Sequence, residues 1–137
     1  MLWPRRSRET TSKERDRHAR CQAVLSALRE ILPGVRAFAV LGPDGKLLDS
    51  ASVDRQLDLS LLASELTTLL RIVQHTSKGT GLGELREQIV IASTSMTLIQ
   101  HLPKDRFSVF VCAPDEHLGR LRYELKRSLL YSTLSNL

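Results

Sequence analysis

Between Leu57 and Thr76 the apolar residues recur at helical spacing, with Leu59, Leu62, Leu66, Leu69 and Val73 on one stripe that Ala63 and Leu70 extend. On both sides of this segment lie shorter apolar and β-branched runs of strand length. A chain patterned in this way must insert a helix between two groups of strands. Asp58 stands where the helix needs an N-cap acceptor.

The flanking segments fill in the order. Cys21, Val24, Leu25, Leu28, Ile31 and Leu32 form a first helical stripe, and Thr11 with Glu14 reads as a capping box upstream of it. The first helix is therefore expected from Ser12 to Leu32, where Pro33-Gly34 ends it. Val35 to Leu41 and Lys46 to Ser50 read as two strands joined by the turn residues Gly42-Pro43-Asp44-Gly45. Beyond the connector Ser77 to Gly83, three further strand-like runs cover 85–93, 95–102 and 106–113, with short polar breaks that favour an antiparallel meander. Pro114, Asp115 and Glu116 are expected to open a last helix with Leu118, Leu121, Leu125 and Leu129 as its core stripe. The order α-ββ-α-βββ-α, with hairpin connections, implies an α+β fold: one five-stranded antiparallel sheet with helices on both faces.

With 137 residues, 42% of them apolar and 26% charged, the chain has material for one hydrophobic core. The net charge of +5 is unevenly placed. Residues 1–20 carry seven Lys/Arg against three acids, whereas the remainder is close to neutral. A basic nucleic-acid-binding surface on the folded domain is therefore not expected. We divide the chain into a basic N-terminal tail, 1–17, and a domain, 18–137. Cys21 and Cys112 are far apart and have no His or Cys neighbours at metal-ligand spacing, so nothing points to a disulfide framework or a zinc site, and a reducing compartment fits best. No apolar run approaches the roughly 20 residues that span a bilayer. The expectation is a cytoplasmic protein.

The element order, the hairpin Phe38 to Gly45, the glycine-bearing connector and the closing run Leu118 to Leu125 together resemble the Roadblock/dynein light chain family. The resemblance covers roughly Arg20 to Leu134. It implies a Roadblock/profilin-like homodimer in which the sheets join edge to edge and the two central helices lie across them. It further implies a small Ras-like GTPase as partner, as for bacterial gliding-motility regulators, and supplies no catalytic set to carry over.

Candidate contact residues come from this sequence alone. At about 100° per residue, Leu61 and Ile72 fall well outside the core stripe of the central helix. Leu61, Thr68 and Ile72 are thus candidates to meet a second copy or the GTPase, unless they are scattered exposed apolar residues, which are common. Arg71, Arg55, Arg120 and Arg122 are the candidates for a transition-state arginine, a GTPase-activating role, with Arg71 projecting from the polar face of the central helix, although solvated or ion-paired arginines are the plainer reading. The apolar run Ile89, Val90 and Ile91 is the candidate for cross-dimer strand pairing, with an interior strand as the alternative. Trp3, Arg5, Arg6 and Arg8 combine an interfacial aromatic with cations, the pattern of weak contact with an anionic membrane. A solubilising tail has the same composition.

Other chemistries find little support. Lys78-Gly79-Thr80-Gly81-Leu82-Gly83 leaves a helix and enters a strand, the reverse of a phosphate loop. His18, His75, His101 and His117 have no ligand spacing, and no nucleophile turn is present. No cofactor and no catalytic activity are expected. The competing function is a small-ligand sensor of PAS or profilin type, for which Gln100 and His101 are the obvious pocket residues. A third reading is a membrane-associated adaptor acting through the tail.

Overall fold

The computed structural model of the protein describes residues 12–127. Trp3, Arg5, Arg6, Arg8, the Thr11 cap and Leu129 lie outside the described residues. The elements follow the order α1 (Ser12–Ile31), β1 (Val35–Leu41), β2 (Leu47–Ser52), α2 (Leu59–Gly79), β3 (Glu87–Ile91), β4 (Met96–Leu102), a 3-10 turn at Pro103–Asp105, β5 (Arg106–Cys112) and α3 (Leu118–Lys126). Residues 12–17, grouped above with the tail, are the first turns of α1, exposed as far as Asp16, and the buried positions of the helix begin at Cys21.

All five strands form one antiparallel sheet in the order β2-β1-β5-β4-β3, with helices on both faces, as the sequence pattern implies. Because side chains alternate between faces, the register sorts each strand into two sets. Phe38, Val40, Leu98 and Phe110 point toward α1 and α3, where Cys21, Val24, Leu25, Leu28, Leu121 and Leu125 complete one core layer. Phe38 and Phe110, opposite each other on β1 and β5, stack with ring centroids 4.8 Å apart. Such pairs contribute about 0.5–1.5 kcal/mol beyond their buried area. Ala37, Ala39, Leu41, Ile99, Val109 and Val111 point the other way and are covered by Ala63, Leu66 and Leu70 of α2.

Local chemistry fixes the ends. Asp58 caps α2, its carboxylate accepting from the Leu61 amide at 3.0 Å. Gly45 turns the β1–β2 hairpin at φ +83°, and Thr67 of α2 fills the space a Cβ there would need. Two expectations fail. The last helix starts at Leu118 rather than Pro114, because residues 113–117 are tied to the corner between α1 and β1: the Ala113 amide donates to Gly34 O at 2.7 Å and the Gly34 amide to Glu116 Oε2 at 2.8 Å. Leu69, placed on the core stripe, is 37% exposed, because the buried arc of α2 is centred on Ala63, Leu66 and Leu70.

Candidate partner-binding surface

One shoulder of α2 is fastened to its own domain. Thr67 Oγ1 and Arg71 Nη2 each donate at 3.3 Å to carbonyls of the β1–β2 turn, those of Gly45 and Asp44 respectively. The opposite shoulder has no such attachment. There Leu61 (58% exposed), Leu69 and Ile72 (59% exposed) form an apolar strip, with Glu65 and Thr68 between them. The Thr68 hydroxyl turns back to the Ser64 carbonyl at 3.3 Å, so it adds little polarity to the strip.

The sheet beneath is covered unevenly. The α2-side core takes Leu47 from β2, three residues of β1, three of β5 and Ile99 of β4, and among the described residues it takes none from β3. The helix thus sits toward the β2 side, and the β3 residues on this face, Gln88 and Val90, are half-buried and outside its core. Val90 lies on this face, opposite Thr97. Ile89 and Ile91, opposite Leu98 and Met96, lie on the α1/α3 face, where Ile89 packs against the core and Ile91 is 71% exposed.

β3 is also an edge strand, so the backbone groups along its outer side have no partner strand. The other edge, β2, carries Asp49, Ser50 and Ser52 and lies against α1. An edge as apolar as β3 invites pairing. Its first residue is held in place: Glu87 accepts from Arg122 Nε of α3 at 2.8 Å and from Gln100 Nε2 at 2.9 Å. Partial burial alone would raise the Glu87 pKa, but these hydrogen bonds and the nearby charges of Arg122 and Lys126 outweigh it and hold the carboxyl below its ordinary value.

The fold therefore brings Leu61, Thr68, Ile72 and Val90 to one side of the molecule, with Ile89 and Ile91 on the reverse of the same edge. Arg71 stands apart on the fastened shoulder. Leu69 and the Glu87–Arg122 pair escaped the sequence reading, the former through its place on the stripe and the latter because its partners are 35 residues apart.

Elsewhere, a hollow of about 330 Å³ between β3, β4 and α3 is lined by Arg86, Glu87, Gln100, His101, Leu102, Leu125 and Lys126. Gln100 and His101 are successive residues on opposite faces; Gln100 is committed to Glu87, and His101 Nε2 lies 3.3 Å from Asp105 Oδ1. The connector after α2 is closed by its own backbone, the Leu82 amide donating to Ser77 O at 2.9 Å and Ser77 Oγ to Gly83 O at 2.7 Å. Cys21 and Cys112 are free thiols buried in the α1/α3-side core.

An α-ββ-α-βββ-α chain with a single helix across one face of a five-stranded antiparallel sheet has the Roadblock/LC7 fold. Solved structures share it closely. MglB of Myxococcus xanthus superimposes with a TM-score of 0.75 at 16% identity, over 93% of this chain and 90% of that one. A Roadblock/LC7 domain from Streptomyces avermitilis gives 0.71 at 15% identity, over 84% and 94%. MglC of Myxococcus xanthus gives 0.56 at 24% identity, over 86% and 99%. At these identities the likeness is one of fold. No family model and no curated protein sequence matches the chain.

Proposed function

We propose that this protein is a non-catalytic, dimeric regulator or scaffold that binds a small Ras-like GTPase. The observation that carries the reading is the off-centre α2 helix, which leaves an apolar strip of Leu61, Leu69 and Ile72 beside a face of β3 that the domain's own core does not cover. A second copy that pairs β3 with β3 and lays its own α2 alongside would cover both, and the paired helices would then form a platform for a further protein. The fold likeness to MglB and MglC supports a place in a GTPase-linked system.

The test is affinity capture from cell extract with the wild-type protein and with Ile72→Glu, followed by binding of the recovered GTPase in its GDP and GTP forms. Recovery of a Ras-like GTPase by wild type alone supports the proposal. Equal recovery by both, or recovery of no GTPase, contradicts it.

A further inference from the structure

Charge is divided between the faces of the domain in a way that its sum conceals. The two helices on one face, α1 and α3, carry eight Lys/Arg against four Asp/Glu, a net +4. All other described residues carry nine against ten, a net −1. α2, on the opposite face, has only Arg71, Lys78 and Glu65. Arg122 of α3 is paired with Glu87, and Arg127, just past the end of α3, with Glu124. Lys13, Arg17, Arg20, Arg120 and Lys126 have no acidic side chain within 4 Å among the described residues. Lys13, Arg120 and Lys126 are exposed, as is Tyr123 (63%), which stands between the last two on the outer side of α3.

We propose that the α1/α3 face is a docking surface for an anionic lipid bilayer, with the α2 strip turned away from the lipid and open to protein partners. Complementary charge selects an anionic partner, and Tyr123 selects lipid over nucleic acid: an exposed tyrosine amid cations suits the headgroup layer, where an amphipathic ring has both of its environments. No described helix is long and apolar enough to cross a membrane, so the contact is peripheral.

The geometry of pairing strengthens the surface, a step that rests on the dimer proposed above. Antiparallel pairing of β3 with β3 continues the sheet about a two-fold axis perpendicular to it, which places like faces on the same side. Both α1/α3 faces would meet one membrane together, and both α2 helices would face away from it. Reversible contacts of single charges then add through linkage in one particle.

The experiment is co-sedimentation of the full-length protein with vesicles of phosphatidylcholine alone and of an equal mixture of phosphatidylcholine and phosphatidylserine, with light scattering on each sample. Wild type should bind the anionic vesicles and release them as salt is raised. The double variant Arg120→Glu with Lys126→Glu, and independently Lys13→Glu with Arg15→Glu, should each lose at least roughly tenfold in binding at unchanged mass, since each basic residue near such a surface is worth about fivefold. Absence of binding to the anionic vesicles overturns the proposal. So does a full-strength interaction in both variants that disappears only when residues 1–10 are deleted, which would assign it to the tail alone. Duplex DNA that displaces the vesicles and binds more tightly, with the same variants defective, would make the partner a nucleic acid. A monomer that binds vesicles with the same charge dependence keeps the lipid surface and removes the dimer.

Discussion

Arg122 of α3 holds Glu87 of β3 through a two-pronged contact of its guanidinium with Oε1, the Nε arm measuring 2.8 Å. The contact joins the helix on the basic face to the edge strand. Both partners are partly exposed, which limits its worth to roughly 0.5–1 kcal/mol after screening. Because the folded state holds the Glu87 carboxyl below its ordinary 4.5, this stabilisation is complete above about pH 4.5 and is lost as pH falls through the lower folded value. Glu87→Gln should therefore lower stability by that amount at neutral pH and flatten the acid limb of the stability curve. Chemical denaturation at a series of pH values reads both, and an unchanged acid limb would contradict the assignment.

The two thiols should be inert in the folded protein. Burial, reinforced by the negative charge of Asp49 for Cys21 and of Glu116 for Cys112, pushes each thiol up to about 12. An aromatic disulfide reagent at mildly alkaline pH should label neither until denaturant is added, and both afterwards. Since the unfolded thiols ionise near 9 and the folded ones near 12, stability should also decline as pH rises through that interval. Rapid labelling of either cysteine in the native state would show that its core layer opens.

Gly45 and Thr67 should behave as a coupled pair. An added Cβ at Gly45 would lie 2.2 Å from Thr67 Cγ2, and the backbone there has φ +83°. Gly45→Ala is expected to cost roughly 2–3 kcal/mol. In a Thr67→Ala background the clash with Cγ2 and Oγ1 is relieved while the Cβ of residue 67 remains 2.8 Å away, so the cost falls but keeps that contact and about 1–2 kcal/mol for the left-handed backbone. A double-mutant cycle of denaturant midpoints measures the difference, and strict additivity would mean that the hairpin turn and α2 are not in the contact described.

Features governed by neighbours in sequence were legible before the structure. Asp58 caps α2, the Gly42 to Gly45 turn joins β1 to β2, and Pro33-Gly34 closes α1, each through the chemistry of a few adjacent residues. What was not legible depends on which elements become neighbours in space. Leu69 fits a helical stripe equally well on the buried or the exposed side of its margin, and only the offset of α2 toward β2 decides which. The start of α3 is set by hydrogen bonds to Gly34, some eighty residues earlier. The near-neutral sum for the chain beyond residue 20 hides a basic face, because it adds α3 to the acidic residues elsewhere in the domain. In the candidate surface, Leu61 and Ile72 stood out from spacing alone, whereas the place of Val90 on the α2 face of the sheet required the strand register.

The central claim is that the strip formed by Leu61, Leu69 and Ile72 beside the β3 edge is a protein-binding surface that a second copy occupies. Light scattering of the full-length protein across a concentration series tests it most directly. The account predicts a wild-type mass of twice the 15.4 kDa chain and a folded Ile72→Glu monomer. A wild-type monomer throughout the series, or an Ile72→Glu variant with the wild-type dimeric mass, would contradict it.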